Sequence, residues 1–115
     1  MIKRAKDMVK EVKVKMREGK GSAELTHIFT QEELTSRTRI CAKITIEPGS
    51  SIGLHDHVNE EEIYYILTGT GVVDDNGTIK DIGPGDALLT GGGASHSIEN
   101  TGKTTMEMIA VVILF

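Results

Sequence analysis

A chain of 115 residues is long enough for one domain and too short for two, and it buries only about two thirds of its unfolded surface. Its net charge of −4, from 13 basic and 17 acidic side chains, argues against nucleic acid as the main partner. The one cysteine, Cys41, excludes an intramolecular disulfide, fits a reducing cytosol and has no neighbour to make it a nucleophile.

Residues 1–21 hold eight of the 13 Lys and Arg against three acids, about +5 by count, leaving about −9 for the rest. They are expected to form a basic arm, solvated or in contact with a partner, ahead of a domain at residues 22–115. Within the arm an irregular or short helical start is followed by an edge strand ending at Gly19-Lys20-Gly21, since Val12, Val14 and Met16 alternate with lysines that blunt an edge. No apolar core follows the N-terminal charges as a secretory signal requires.

Ser22–Phe29 reads as a strand, and Thr30-Gln-Glu-Glu33 as a capping box with at most one helical turn. His27 matches no ligand spacing and is read as a structural or surface histidine. Arg37–Glu47 is a strand with Ile40, Ala42, Ile44 and Ile46 on one face and Arg39, Cys41, Lys43 and Thr45 on the other. After the Pro48-Gly49 turn comes the stretch GSSIGLHDHVNEEEIYYILTG. In an extended strand residues i and i+2 share a face, so His55 and His57 aim at one point, and Glu62 joins them from the next strand. Asp56, between them, points away.

In the Glu62 strand, Glu62, Tyr64 and Ile66 share one face and Ile63, Tyr65 and Leu67 the other. Both faces are largely apolar and need cover, as in Met108–Phe115, the longest apolar run. That demand predicts a homodimer. The run has eight residues, too few to cross a bilayer as a helix, so no membrane association is expected and the cytoplasm is the expected location. Gly69-x-Gly71 lacks the following helix of a dinucleotide fingerprint. Asp75-Asn76-Gly77 signals a type I′ hairpin between Gly71–Asp74 and Thr78–Ile82. Gly83-Pro84-Gly85-Asp86 is another turn, and Ala87–Thr90 a short strand. Gly91–Ser95 is a flexible loop that aims His96, which shares a strand face with Ile98 and Asn100. Short strands divided by Gly, Pro and Asn turns predict an all-β sandwich or barrel.

Two spaced patterns emerge: Gly49, five residues, His55-x-His57, four residues, Glu62, six residues, Gly69; then Gly85, five residues, Gly91-x-Gly93, two residues, His96, three residues, Asn100. Together they resemble the two motifs of the cupin superfamily over roughly residues 36–115, with Gly91 where the family usually has proline, a loop-shaping residue and not a ligand. The resemblance implies a double-stranded β-helix (jelly-roll) barrel as a single cupin domain. Three imidazoles and a carboxylate suit one divalent transition metal, Mn, Fe, Zn, Ni or Co, held by His55, His57, Glu62 and His96.

Such a site suits a compact carboxylate or related small-molecule ligand. Two functions follow: a metalloenzyme of oxalate-decarboxylase or dioxygenase type, or a non-catalytic metal-dependent binding or sensing protein. The phrases EPGSSIG and SHSIENTG are similar to those of oxalate-binding and oxalate-decarboxylase-like cupins. Tyr64 and Glu61 are the candidate catalytic side chains. Glu60 and Glu61 read as turn carboxylates open to solvent, and no arginine or lysine is placed on the inward face.

Overall fold

The computed structural model describes residues 1–115. Ten strands form two antiparallel sheets: β1 (Val9–Val14), β2 (Ser22–His27), β3 (Thr38–Ile46), β4 (Ser51–Asp56), β5 (Glu60–Thr68), β6 (Gly71–Asp75), β7 (Thr78–Ile82), β8 (Ala87–Gly91), β9 (Ser95–Glu99) and β10 (Met106–Leu114). One sheet runs β1-β2-β3-β10-β5-β8 and the other β4-β9-β6-β7. Their inner faces meet in a jelly-roll barrel, the architecture expected of short alternating strands.

Period-2 alternation builds the core. β3 buries Ala42, Ile44 and Ile46, β10 buries Met106, Met108, Ala110 and Val112, and β5 buries Glu62, Tyr64 and Ile66. From the opposite sheet come Ile52, Val73, Ile82 and Ile98. Fully burying each Ile or Met contributes roughly 1.5–3 kcal/mol, so these residues dominate the stability. They fill the space between the sheets, and the polar Glu62 and His96 are buried with them.

Turn chemistry follows the sequence closely. Asn76 and Gly77 have φ of 48° and 96°, both positive as a type I′ turn demands, and the Gly77 N–H donates to Asp74 Oδ1 at 2.7 Å. Thr30–Glu33 stops at a turn in which the Thr30 N–H donates to Glu33 Oε1 at 2.9 Å. Asn100, fully buried, ties the motif ends: its side-chain amide donates to the Ile46 and Thr104 carbonyls at 2.8 and 2.9 Å. Its role is structural.

The N-terminal segment is a 3-10 turn (Ala5–Asp7), β1 paired along β2, and a second tight turn (Met16–Glu18). That second turn packs on β4. Lys15, Arg17 and Glu18 all have positive φ, 50°, 53° and 64°, in the left-handed region that L-residues enter at a cost. Two glycines make the docking feasible. A Cβ on Gly53 would meet the Arg17 carbonyl oxygen, and one on Gly19 the Ser51 carbonyl oxygen.

Two irregularities interrupt the alternation. β4 pairs Ile52 with Ile98 but His55 with His96, so Gly53-Leu54 carries an extra residue and both Ile52 and His55 face inward. β10 pairs Val112 with Ile40 but Ile113 with Thr38, leaving Arg39 as the extra residue in β3. Both bulges lie beside the same cavity.

Candidate metal centre

His55, near the end of β4, and His96, in β9, are direct cross-strand partners in the four-stranded sheet. Glu62 faces them from β5 in the other sheet. His57 lies one residue past β4, where its N–H donates to the Ala94 carbonyl (3.0 Å) and its carbonyl accepts from Gly93 N–H (2.8 Å). The glycine loop thus holds both His57 and His96, and Gly92 and Gly93 take the positive φ, 65° and 93°, that its tight path requires.

One ligand atom from each of His55, His57, Glu62 and His96 falls within 4.8 Å of every other. The His96 Nε2 is 3.1 Å from Nε2 of His55 and of His57. The rings stand at 70°, 75° and 78° to one another, close to three faces meeting at a corner. Glu62 Oε1 is 2.9 Å from His57 Nε2 and 3.1 Å from His96 Nε2. Neither approach has hydrogen-bonding geometry, and this buried oxygen has no partner.

The outer nitrogens explain why such crowding suits a cation. His55 Nδ1 donates to the Gly53 carbonyl at 2.7 Å, and His57 Nδ1 donates to Glu60 Oε2 at 2.7 Å. Each Nε2 is then a bare lone pair. His96 Nδ1 sits 2.8 Å from Thr90 Oγ1, which leaves its Nε2 as the third member. Lone pairs and a carboxylate oxygen aimed at one point repel unless a positive charge lies between them. Nitrogens about 2.1 Å from a shared ion and at right angles around it are about 3 Å apart, matching the 3.1 Å seen here. The cluster is able to bind a metal ion.

The electrostatics agree. Burial raises the Glu62 carboxyl, but the His57 and His96 imidazoles outweigh it and hold the pKa at about 2, so the carboxylate is ionised. Burial lowers the His55 pKa, favouring the neutral, ligating form. The close Glu62 carboxylate raises His57 against its burial, with Glu60 adding to the rise. Tyr64 stacks on the His96 ring at 4.9 Å between centroids, and burial first, then Glu62, pushes its phenol well above the ordinary range.

The cluster opens into a cavity of about 340 Å³. His55, His57, Glu62 and Tyr64 line it, with Leu25, Ile40, Ile44 and Val112 among its apolar walls. Its remaining lining comes from the N-terminal segment and β3: Glu11, Lys13, Lys15, Arg17 and Arg39 among them. The expectation that no cationic side chain faces inward is corrected here. Strict alternation placed Arg39 outward, but the bulge turns it to the cavity, and Arg17 arrives on a left-handed turn that no periodicity reveals.

Glu60 is likewise not a solvated turn carboxylate. It begins β5 on the Glu62 face, accepts from His57 Nδ1 and, at 2.7 Å, from Arg39 Nη2. Its two-residue offset from Glu62 was the available signal. Glu61 lies on the opposite face of β5, pairs with Gly91 and does not line the cavity. Asp56 is exposed. His27 sits apart from the cluster, 3.1 Å from Glu11 Oε1.

The Cupin domain family model matches residues 42–112, which include both histidine-bearing segments. The chain belongs to the cupin family. This cupin is 46% identical to the oxalate-binding protein of Thermotoga maritima over 114 residues, 99% of this chain and 94% of that one. A crystal structure from the same organism, of a predicted oxalate decarboxylase, superposes with a TM-score of 0.94 at 46% identity over all of both chains. The cupin is also 32% identical over 69 residues to the mannose-1-phosphate guanylyltransferase ManC of Salmonella typhimurium, but those residues are 60% of this chain and 14% of that enzyme.

Proposed function

We propose that His55, His57, Glu62 and His96 hold one divalent transition metal, of the set Mn, Fe, Zn, Ni and Co, and that this cupin acts there on a small carboxylate. The observation that carries the reading is the convergence of three Nε2 atoms and an orphaned buried carboxylate oxygen beside a cavity lined in part by cationic side chains. The relative's name as an oxalate-binding protein supports the same ligand class.

A divalent ion held by these four side chains would supply Lewis acidity toward a substrate oxygen or a water. The protein groups do the rest. Glu60, fixed by Arg39, holds the His57 ring with its proton on Nδ1. The apolar walls reduce water access, which strengthens every charge interaction within. Tyr64 keeps its phenolic proton and presents a wall to the ligand. The oxalate-decarboxylase- or dioxygenase-like enzyme is the favoured form of this reading. The non-catalytic binding or sensing protein is the second, because Tyr64 is far too weak an acid to act as a base at neutral pH and Glu61 lies off the cavity.

A double substitution His57→Ala with His96→Ala tests the assignment. Protein purified without chelator is expected to carry near-stoichiometric metal, and the variant essentially none by elemental analysis; full metal in the variant refutes the ligand set. Turnover of a panel of small acids by the metal-loaded protein, with and without oxygen, separates enzyme from binder. Binding without any turnover selects the second reading. We further infer a homodimer in the cytoplasm, the dimer supported by the exposed apolar outer face of β5.

A further inference from the structure

Arg17 is unusual on three counts. Its backbone, at φ 53° and ψ 37°, occupies a region where glycine is comfortable and arginine is not. The turn is nevertheless locked in place: Gly53 admits the Arg17 carbonyl, Lys20 N–H donates to Ser51 Oγ at 2.9 Å, and Ser51 N–H donates to the Lys20 carbonyl at 2.9 Å. And its side chain, on a residue that lines the cavity, makes no ion pair and no side-chain hydrogen bond. The other charges there are largely committed. Arg39 is bound to Glu60, and Lys13 is 3.7 Å from Glu11 Oε2. Lys15 and Glu18 share the left-handed backbone, and it is the docking of the Arg17 carbonyl against Gly53 that fixes where this side chain starts.

Charge balance says what that side chain would meet. A divalent ion with the Glu62 carboxylate carries a residual charge of about +1, which one carboxylate neutralises. A dianion leaves about −1 over, and one unpaired guanidinium offsets it. Arginine presents parallel N–H donors matched to a carboxylate, an arrangement that lysine lacks.

We propose that Arg17 is the seat for the outward carboxylate oxygens of a small dicarboxylate whose other oxygens lie at the His55–His57–Glu62–His96 cluster, so that it selects dianions over monocarboxylates. This rests on the small-carboxylate reading and adds to it the charge class of the ligand and the residue that reads it.

Calorimetric titration of Mn(II)-loaded protein with oxalate and with acetate tests it. Wild type is expected to bind oxalate more tightly, and Arg17→Gln to weaken oxalate by about 10- to 100-fold, the loss of a charge-assisted hydrogen-bonded pair, while acetate binding and Mn(II) uptake stay close to wild type. Arg17→Gly should lose oxalate affinity equally while melting at or above the wild-type temperature, because glycine fits the backbone. Lys15→Gln, which removes another unpaired rim cation, should have a much smaller effect.

Equal oxalate affinity in wild type and Arg17→Gln overturns the assignment and leaves the parent reading standing. So does an equal loss in Lys15→Gln, which would mean diffuse attraction. Loss of Mn(II) uptake in both Arg17 variants would mark a structural role and also overturn it. Wild type that takes up Mn(II) but binds neither anion sinks the small-carboxylate reading itself, and the seat with it.

Discussion

Glu60 shows how much one side chain adds beyond the four convergent groups. Its Oε2 accepts from both His57 Nδ1 and Arg39 Nη2, so it sets the tautomer and the angle of a ring whose other nitrogen faces the cluster. Burial raises the Glu60 carboxyl, but Arg39 and His57 together bring it below the ordinary range, so it is ionised whenever His57 is needed neutral. Glu60→Gln keeps the shape and removes the charge. It is expected to reduce metal affinity by about 10- to 100-fold, measured by competition with a chromophoric chelator, with the fold unchanged by circular dichroism. An unchanged affinity would reduce Glu60 to a surface ion pair. Arg39 follows the same logic, being held by Glu60 rather than offered to a ligand, and in that it differs from Arg17.

Among the elements, β4 has the most demanding geometry. It must place Ile52 in the core and His55 at the cluster, three residues apart, which perfect alternation forbids. The extra residue at Gly53-Leu54 solves this, and the same Gly53 receives the Arg17 carbonyl and supplies the acceptor for His55 Nδ1. Gly53→Ala drives a methyl group into backbone. It is expected to cost about 1–3 kcal/mol in denaturant unfolding and to lower oxalate affinity by displacing the turn at Met16–Glu18. A melt indistinguishable from wild type would show that the turn moves aside freely. The outer face of β5 makes a different demand. Ile63, Tyr65 and Leu67 remain 36%, 47% and 40% exposed, and Leu89 on neighbouring β8 63% exposed. A sheet face that apolar calls for a second layer.

For the molecule as a whole, the prediction is a second copy in that position. Native protein should sediment as a dimer at micromolar concentration, and Leu67→Glu should shift it to monomer without loss of bound metal. A monomeric wild type would show that the face stays bare. No helix is long and apolar enough to cross a membrane. The six-stranded sheet takes in β1, so the basic segment is part of the barrel wall and its cations reach the cavity.

Much was legible from the residues alone, for reasons that are local. His55, His57, Glu62 and His96 stood out because period-2 spacing and glycine turns are properties of short stretches, and the hairpin at Asn76-Gly77 follows from which residues tolerate positive φ. Core faces of β3 and β5 followed from alternation in the same way, whereas β10, apolar on both faces, offered no such choice. What stayed hidden depends on breaks in that period or on contacts between distant segments. Arg39 turns inward only because β10 pairs two residues of its own across three of β3, and Arg17 reaches the cavity only because Gly53, thirty-six positions later, lets its carbonyl dock. Alternation assigns a side chain to a face; only the paired strands reveal where an extra residue has reversed the assignment.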